Sequence, residues 1–111
     1  MAIIKSMLQN LNQISPLSVN VIEFILTIAK MEKVEKIMVF GSRAFGDFEK
    51  YSDLDIAIDA PNMTKFEWLK LKEYAIYDLD VFIKVSLVHY SSNPHKLKER
   101  INLTGKVIYA R

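Results

Sequence analysis

The 111 residues give room for one domain, and with half of them hydrophobic and a quarter charged the chain can bury a core, which excludes intrinsic disorder. The absence of cysteine excludes a disulfide scaffold and a cysteine-ligated zinc site, and a formal net charge of +2 creates no strong field for nucleic acid. No apolar stretch has the length of a membrane span, and Lys5, Ser6, Gln9 and Asn10 break up the segment Met1 to Gln13, so neither membrane insertion nor secretion is expected and the cytoplasm is the expected location.

Ile4, Leu8 and Leu11 recur at helical spacing, which predicts a short helix ending before Pro16. Ser18 is placed to cap a second helix reaching Lys33. Apart from a polar stripe of Asn20, Glu23, Thr27 and Lys30, that helix is apolar almost all round, which fits either deep burial or additional use against a partner. Ile37 to Phe40 is a buried strand that stops at Gly41, Ser42 to Phe45 a single helical turn, and Gly46 to Tyr51 a loop. From Asp53 to Asp59 the chain alternates, with Leu54, Ile56 and Ile58 on one face and Asp53, Asp55, Ala57 and Asp59 on the other. Thr64 can cap a helix running to Tyr74, which carries Phe66, Leu69 and a core Trp68. Asp78 to Val85 alternates again and predicts a further strand. Pro94 opens a helix to Leu103, Gly105 ends it, and Lys106 to Ala110 forms a last short strand. The sum is one α/β (α+β) domain over 1–111, with a three- to four-stranded mixed sheet flanked by helices.

Five of the 13 acids, Asp53, Asp55, Asp59, Asp78 and Asp80, lie on the two alternating segments. Carboxylates disfavour strands and repel one another across a face, so the cluster costs stability unless cations neutralise it. Two carboxylates at i and i+2 project to the same side and suit hard divalent cations such as Mg²⁺, which keeps waters and substrate phosphates in its other positions. Gly41-Ser42 precedes them at the end of an apolar strand, where a glycine lets the backbone approach a phosphate and the amides of the following turn can bind anions. A P-loop is excluded because Asp47 and Phe48 stand where Lys and Ser/Thr are required, and an EF-hand fails at Tyr51, Ser52 and Ile58. His89 and His95 lie outside these elements and are expected on the surface or in loops. Lys96, Lys98, Arg100, Lys106 and Arg111 form a solvated helix face and tail.

Taken together, Gly41-Ser42 and Asp53-Leu54-Asp55 have the form G-S-x10-D-x-D, which resembles the nucleotidyltransferases of the DNA polymerase β superfamily. Val39-Phe40-Gly41-Ser42-Arg43-Ala44 with Ser52-Asp53-Leu54-Asp55-Ile56-Ala57-Ile58 is similar to the minimal nucleotidyltransferase (MNT) family, over roughly Ile37 to Ile83. The resemblance implies a helical N-terminal part over 1–33, a catalytic core over 37–85 and a C-terminal helix and strand over 93–111. It implies that Gly41 and Ser42 hold the phosphates of ATP and that Asp53 and Asp55 bind two Mg²⁺ ions. A third carboxylate from a following strand falls to Asp80, in Asp80-Val81-Phe82-Ile83, with Asp78 of the same parity as the competing choice. Arg43 is placed either to reach the β- and γ-phosphates or to pair at the surface with Asp47 or Glu49. Phe45 departs from the basic residue the family often has there, which removes one possible phosphate contact.

A chain of this length has no separate domain to hold an acceptor, so the resemblance implies that the acceptor surface comes from another subunit. In such families that subunit is a helical HEPN protein, often paired as toxin with the MNT protein as antitoxin. The implied reaction is Mg²⁺-dependent transfer of AMP from ATP to a tyrosine of the HEPN ribonuclease. The alternatives are an antitoxin that acts by binding alone and transfer to a small molecule. Ile3, Ile4, Met7, Leu8 and the second helix would supply the interface.

Overall fold

In a computed structural model, which describes residues 18–45, 53–79 and 83–111, the Ser18 hydroxyl accepts from the Val21 amide at 3.4 Å and caps helix α1, Val19–Ala29. The helix predicted over Ile4 to Leu11 and the loop over Gly46 to Tyr51 lie outside the described residues. Helix α1 stops short of the expected Lys33. The Lys30 amide is shared between the Leu26 and Thr27 carbonyls, Met31 donates to Ile28, and Val34 donates to Met31. This tightening turn carries Val34 fully into the core, and that burial wins over further helix. Val21, Phe24, Ile25, Ile28 and Ala29 are buried and Ile22 and Leu26 pack against them, so burial accounts for most of the helix's apolar breadth.

Strand β1 is Lys36–Phe40, followed by the one-turn helix α2, Ser42–Phe45, and by strand β2, Leu54–Asp59. Helix α3, Lys65–Glu73, opens with a capping box: Glu67 N–H donates to the Thr64 hydroxyl at 3.1 Å, and the Glu67 carboxylate accepts from Thr64 N–H at 2.9 Å. Lys33 donates to the same carboxylate at 2.6 Å, and with the two Thr64 contacts this lowers the Glu67 pKa to about 2. Thr64→Ala is expected to cost about 1 kcal/mol, read as a lower urea midpoint with an unchanged slope.

The strand predicted over Asp78 to Val85 is not formed as such. Tyr74–Asp78 is a π-helical turn closed by Leu79 N–H donating to the Tyr74 carbonyl at 3.0 Å, and strand β3 is Val85–His89. Leu79 and Ile83 do pack against the core, but from the segment that leads into the strand. Apolar alternation is satisfied by any extended segment with one buried side, so the pattern located a core contact without locating the pairing. A 3₁₀ turn over Tyr90–Ser92 leads to helix α4, His95–Thr104, and to strand β4, Lys106–Ala110.

The four strands form one mixed sheet in the order β3-β2-β1-β4. Strand β1 is antiparallel to both β2 and β4, and β2 is parallel to β3. The β1–β4 register shifts between Ile37, opposite Tyr109, and Met38, opposite Val107. That bulge leaves Ile108 as the extra residue and lets Ile108 and Tyr109, consecutive in sequence, both be buried.

Two apolar layers hold the sheet. Ile37, Val39, Leu54, Ile56, Ile58, Val85 and Leu87 meet α1 and α3 on one face. On the other face Met38 and Ala57 meet Ile101 of α4, with Phe40, Val88, Tyr90 and Leu97 around them. Trp68 packs against the first layer, as expected. His89 corrects the sequence expectation: it is half-buried, stacks on Trp68 at 4.8 Å, and its Nε2 lies 3.0 Å from the Ala60 carbonyl oxygen. Among the described residues no helix is long and apolar enough to cross a membrane.

Candidate active site

Strand alternation aims Asp53 and Asp55 at the face that α4 covers only in part. Ala57, two residues on, is fully buried against Met38 and Ile101, whereas Asp55 is half-buried and Asp53 exposed. The face is therefore dry under α4 and opens toward the acids. Burial pushes the Asp55 pKa above its ordinary value, and the neighbouring Asp53 charge adds to the rise. Lys84 and Arg100 act in the opposite direction and limit it.

Strand β1 delivers the second element. Phe40 pairs with Asp55, so the chain turns at Gly41 directly beside that carboxylate. Gly41 has φ +76°, in the left-handed region that favours glycine, and a Cβ there would stand 2.5 Å from Asp55 Oδ2. Two constraints thus select glycine, the backbone angle and the close approach of the carboxylate. The Gly41 carbonyl accepts from the Ala44 amide at 3.1 Å as α2 begins. Ser42 opens α2, its side chain lying outside the described residues. Arg43 is buried, with 3% exposure, which rules out the reading as a surface arginine, and burial lowers its pKa.

On the other side of β2, the parallel register puts Ser86 level with Asp55. The Leu54 amide donates to the Lys84 carbonyl at 2.9 Å, which continues the same ladder one step back and sets Lys84 beside Asp53. Lys84 and Ser86 share one face of the strand, because Val85 and Leu87 between and beyond them are buried in the opposite layer. The strand expected over Asp78 to Val85 includes Lys84 without giving it a role and stops one residue before Ser86.

Two residues are candidates for the third carboxylate. Asp80 lies outside the described residues. Asp78 closes the π-helical turn, is exposed, and lines a groove of about 900 Å³ with Phe24, Thr27, Met63, Leu71 and Tyr74, on the α1/α3 side of the sheet. The paired acids lie away from that groove. Among the described residues no group of three or more His, Asp or Glu converges. Asp53 and Asp55 nevertheless fit a hard divalent cation: their oxygens share one face, and Gly41 presents no side chain to crowd Asp55.

The family model described as "Polymerase beta, Nucleotidyltransferase" matches residues 23–111. Among solved structures, the chain is similar to a chain of a toxin–antitoxin crystal structure with AMP-PNP, at 25% identity and a TM-score of 0.64, over 80% of this chain and 73% of that one. It is also similar to a chain of a mutant toxin–antitoxin MntA–HpeT, at 26% identity and a TM-score of 0.63, over 86% of this chain and 75% of that one. A chain from the complex of the tri-AMPylated Shewanella oneidensis HEPN toxin with MNT antitoxin shares 20% identity at a TM-score of 0.56, over 95% and 73% of the two chains, a likeness that speaks for the fold alone. No curated protein matches.

Proposed function

The chain belongs to the polymerase beta nucleotidyltransferase family, and from that premise we propose that it transfers AMP from ATP, with Mg²⁺, to a tyrosine hydroxyl of a HEPN partner toxin and so acts as its antitoxin. The observation that carries this reading is the meeting of the left-handed Gly41 turn with the Asp53/Asp55 pair. A nucleotide phosphate on that turn would lie next to the carboxylates.

Gly41 and Ser42 would hold the phosphates, with Arg43 behind them, and Asp53 and Asp55, joined by Asp80, would hold the metal. Two Mg²⁺ ions there would offset the charge on the departing pyrophosphate and make the acceptor hydroxyl easier to deprotonate. Asp53 and Asp55 fix where the α-phosphate sits, and the missing side chain at Gly41 leaves it room. The tyrosine oxygen forms its bond to the α-phosphorus as the bond to pyrophosphate breaks on the opposite side, and the phenolic proton leaves to solvent or to a site carboxylate. The toxin–antitoxin setting of the two structural relatives supports a toxin as acceptor, and AMP-PNP in one of them supports an adenine nucleotide as donor.

The alternative is an antitoxin that neutralises its HEPN partner by binding alone. Mixing the protein with a HEPN partner, Mg²⁺ and ATP labelled at the α-phosphate separates the two. Label on the partner is the expected result. A stable, inhibited complex without label would establish the binding-only antitoxin.

A further inference from the structure

Helix α3 and the π-helical turn that continues it bury one side and leave the other in water. Leu71 and Ala75 are buried, Trp68 packs against the core, and Tyr74 stacks on Phe24 with ring centroids 5.4 Å apart. The outward side carries Phe66 and Tyr77, 66% and 80% exposed, and Leu69 and Ile76 are exposed between them. Single exposed apolar side chains are ordinary, but four along one short helical stretch, two of them aromatic, have the composition of an interface. Lys70 and Glu73 are exposed on the same side. Lys70 Nζ lies 4.7 Å from the centre of the Phe66 ring. Among the described residues the contact ion pairs are Lys33–Glu67 and His95–Glu99, so neither Lys70 nor Glu73 is in one.

We propose that this face pairs with the same face of a second copy of the chain, α3 against α3, antiparallel about a two-fold axis. The inference stands independently of the nucleotidyl-transfer reading.

The face is complementary to itself in a single register. Setting Phe66 of each copy opposite Tyr77 of the other also sets Lys70 opposite Glu73 and Leu69 opposite Tyr74, because all three pairs are centred on the same point, between Leu71 and Lys72. The two-fold axis makes each pair occur twice, so an aromatic pair closes either end and two ion pairs stand nearer the centre. A parallel arrangement would set Lys70 on Lys70 and Glu73 on Glu73, and those like charges repel. Exposed ion pairs add little strength, so here they select orientation and register while the apolar side chains supply the attraction. A contact made by one short helix falls at the low end of interface areas, which gives a dissociation constant on the order of tens of micromolar. Pairing uses the α1/α3 side of the sheet, so Asp53 and Asp55 on the opposite face stay open in both copies.

The test is sedimentation velocity on the intact protein, from well below to well above that concentration. The native chain is expected to pass from monomer to dimer and to stop there, because an isologous contact closes on itself. Phe66→Ser should weaken the dimer at least tenfold. Lys70→Glu and Glu73→Lys should each do the same by setting like charges opposite one another, and the double variant should restore pairing. Lys96→Glu, the same charge change on α4 across the sheet, serves as control and should leave the dimer intact. All of these side chains but Phe66 are charged and all are exposed, so the variants should melt close to the native temperature.

A native protein that stays monomeric throughout would overturn the proposal. A dimer indifferent to Phe66→Ser and to both charge reversals would overturn it by placing the contact elsewhere, and growth beyond the dimer would do so by showing that the contact does not close. A monomer whose complex with a HEPN partner is weakened by Phe66→Ser would overturn it by assigning the face to that partner.

Discussion

Replacing Asp55 with asparagine is expected to reduce AMP transfer about a thousandfold or more, while the metal-free protein melts at the same temperature or higher. The loss follows from the worth of metal-stabilised charge, several kcal/mol at 1.36 kcal/mol per tenfold in rate. Unchanged or improved folding follows from the state of the native carboxylate. Asp55 is half-buried beside Asp53, and both burial and that charge raise its pKa. A carboxyl whose pKa is raised in the folded state favours folding when protonated. As pH rises from the ordinary carboxylate value through the raised one, the folded protein loses stability relative to the unfolded chain. Melting in chelator across that window should therefore show a slope for the native protein and a flatter line for Asp55→Asn. If the variant instead unfolds with loss of cooperativity, the acids hold the sheet together and the site reading fails.

Gly41→Ala is expected to damage activity more than stability. The left-handed φ of +76° costs a non-glycine residue about 1–2 kcal/mol, visible as a lower urea midpoint. The added Cβ would also stand 2.5 Å from Asp55 Oδ2, and the carboxylate is the lighter of the two groups to move. Asp55 must swing away from the phosphate turn, and a displacement on the order of 1 Å at a reacting centre costs about a hundredfold in rate. A variant with the expected loss of stability but native transfer would show that the contact between Gly41 and Asp55 has no part in the chemistry.

Much of this fold was legible in the sequence because its signals are local. The capping box Thr64–Glu67, the alternation of Leu54, Ile56 and Ile58, and the punctuation by Gly41, Pro94 and Gly105 each depend on neighbouring residues, and each element formed where it was placed. The end of α1 was misplaced because Val34 is drawn to a core that assembles from distant residues. The start of β3 was misplaced for a related reason. Leu79, Ile83, Val85 and Leu87 continue one apolar parity across two different structures, and only pairing with β2 distinguishes them. The candidate site followed the same rule: G-S and D-x-D are contiguous motifs visible in the sequence, whereas Ser86 comes level with Asp55 only through the β2–β3 register.

The sheet order also carries a consequence in time. Strand β1 is followed closely by its partner β2, but its other neighbour, β4, is made last of the four described strands. During synthesis Ile37, Met38 and Val39 therefore wait with one row of backbone groups unpaired until Lys106 to Ala110 leave the ribosome and settle against them. Such non-local closure is slow compared with hairpin formation. The nascent protein passes through an interval in which strand β1 is an open edge, and an unpaired edge is prone to pairing with other chains.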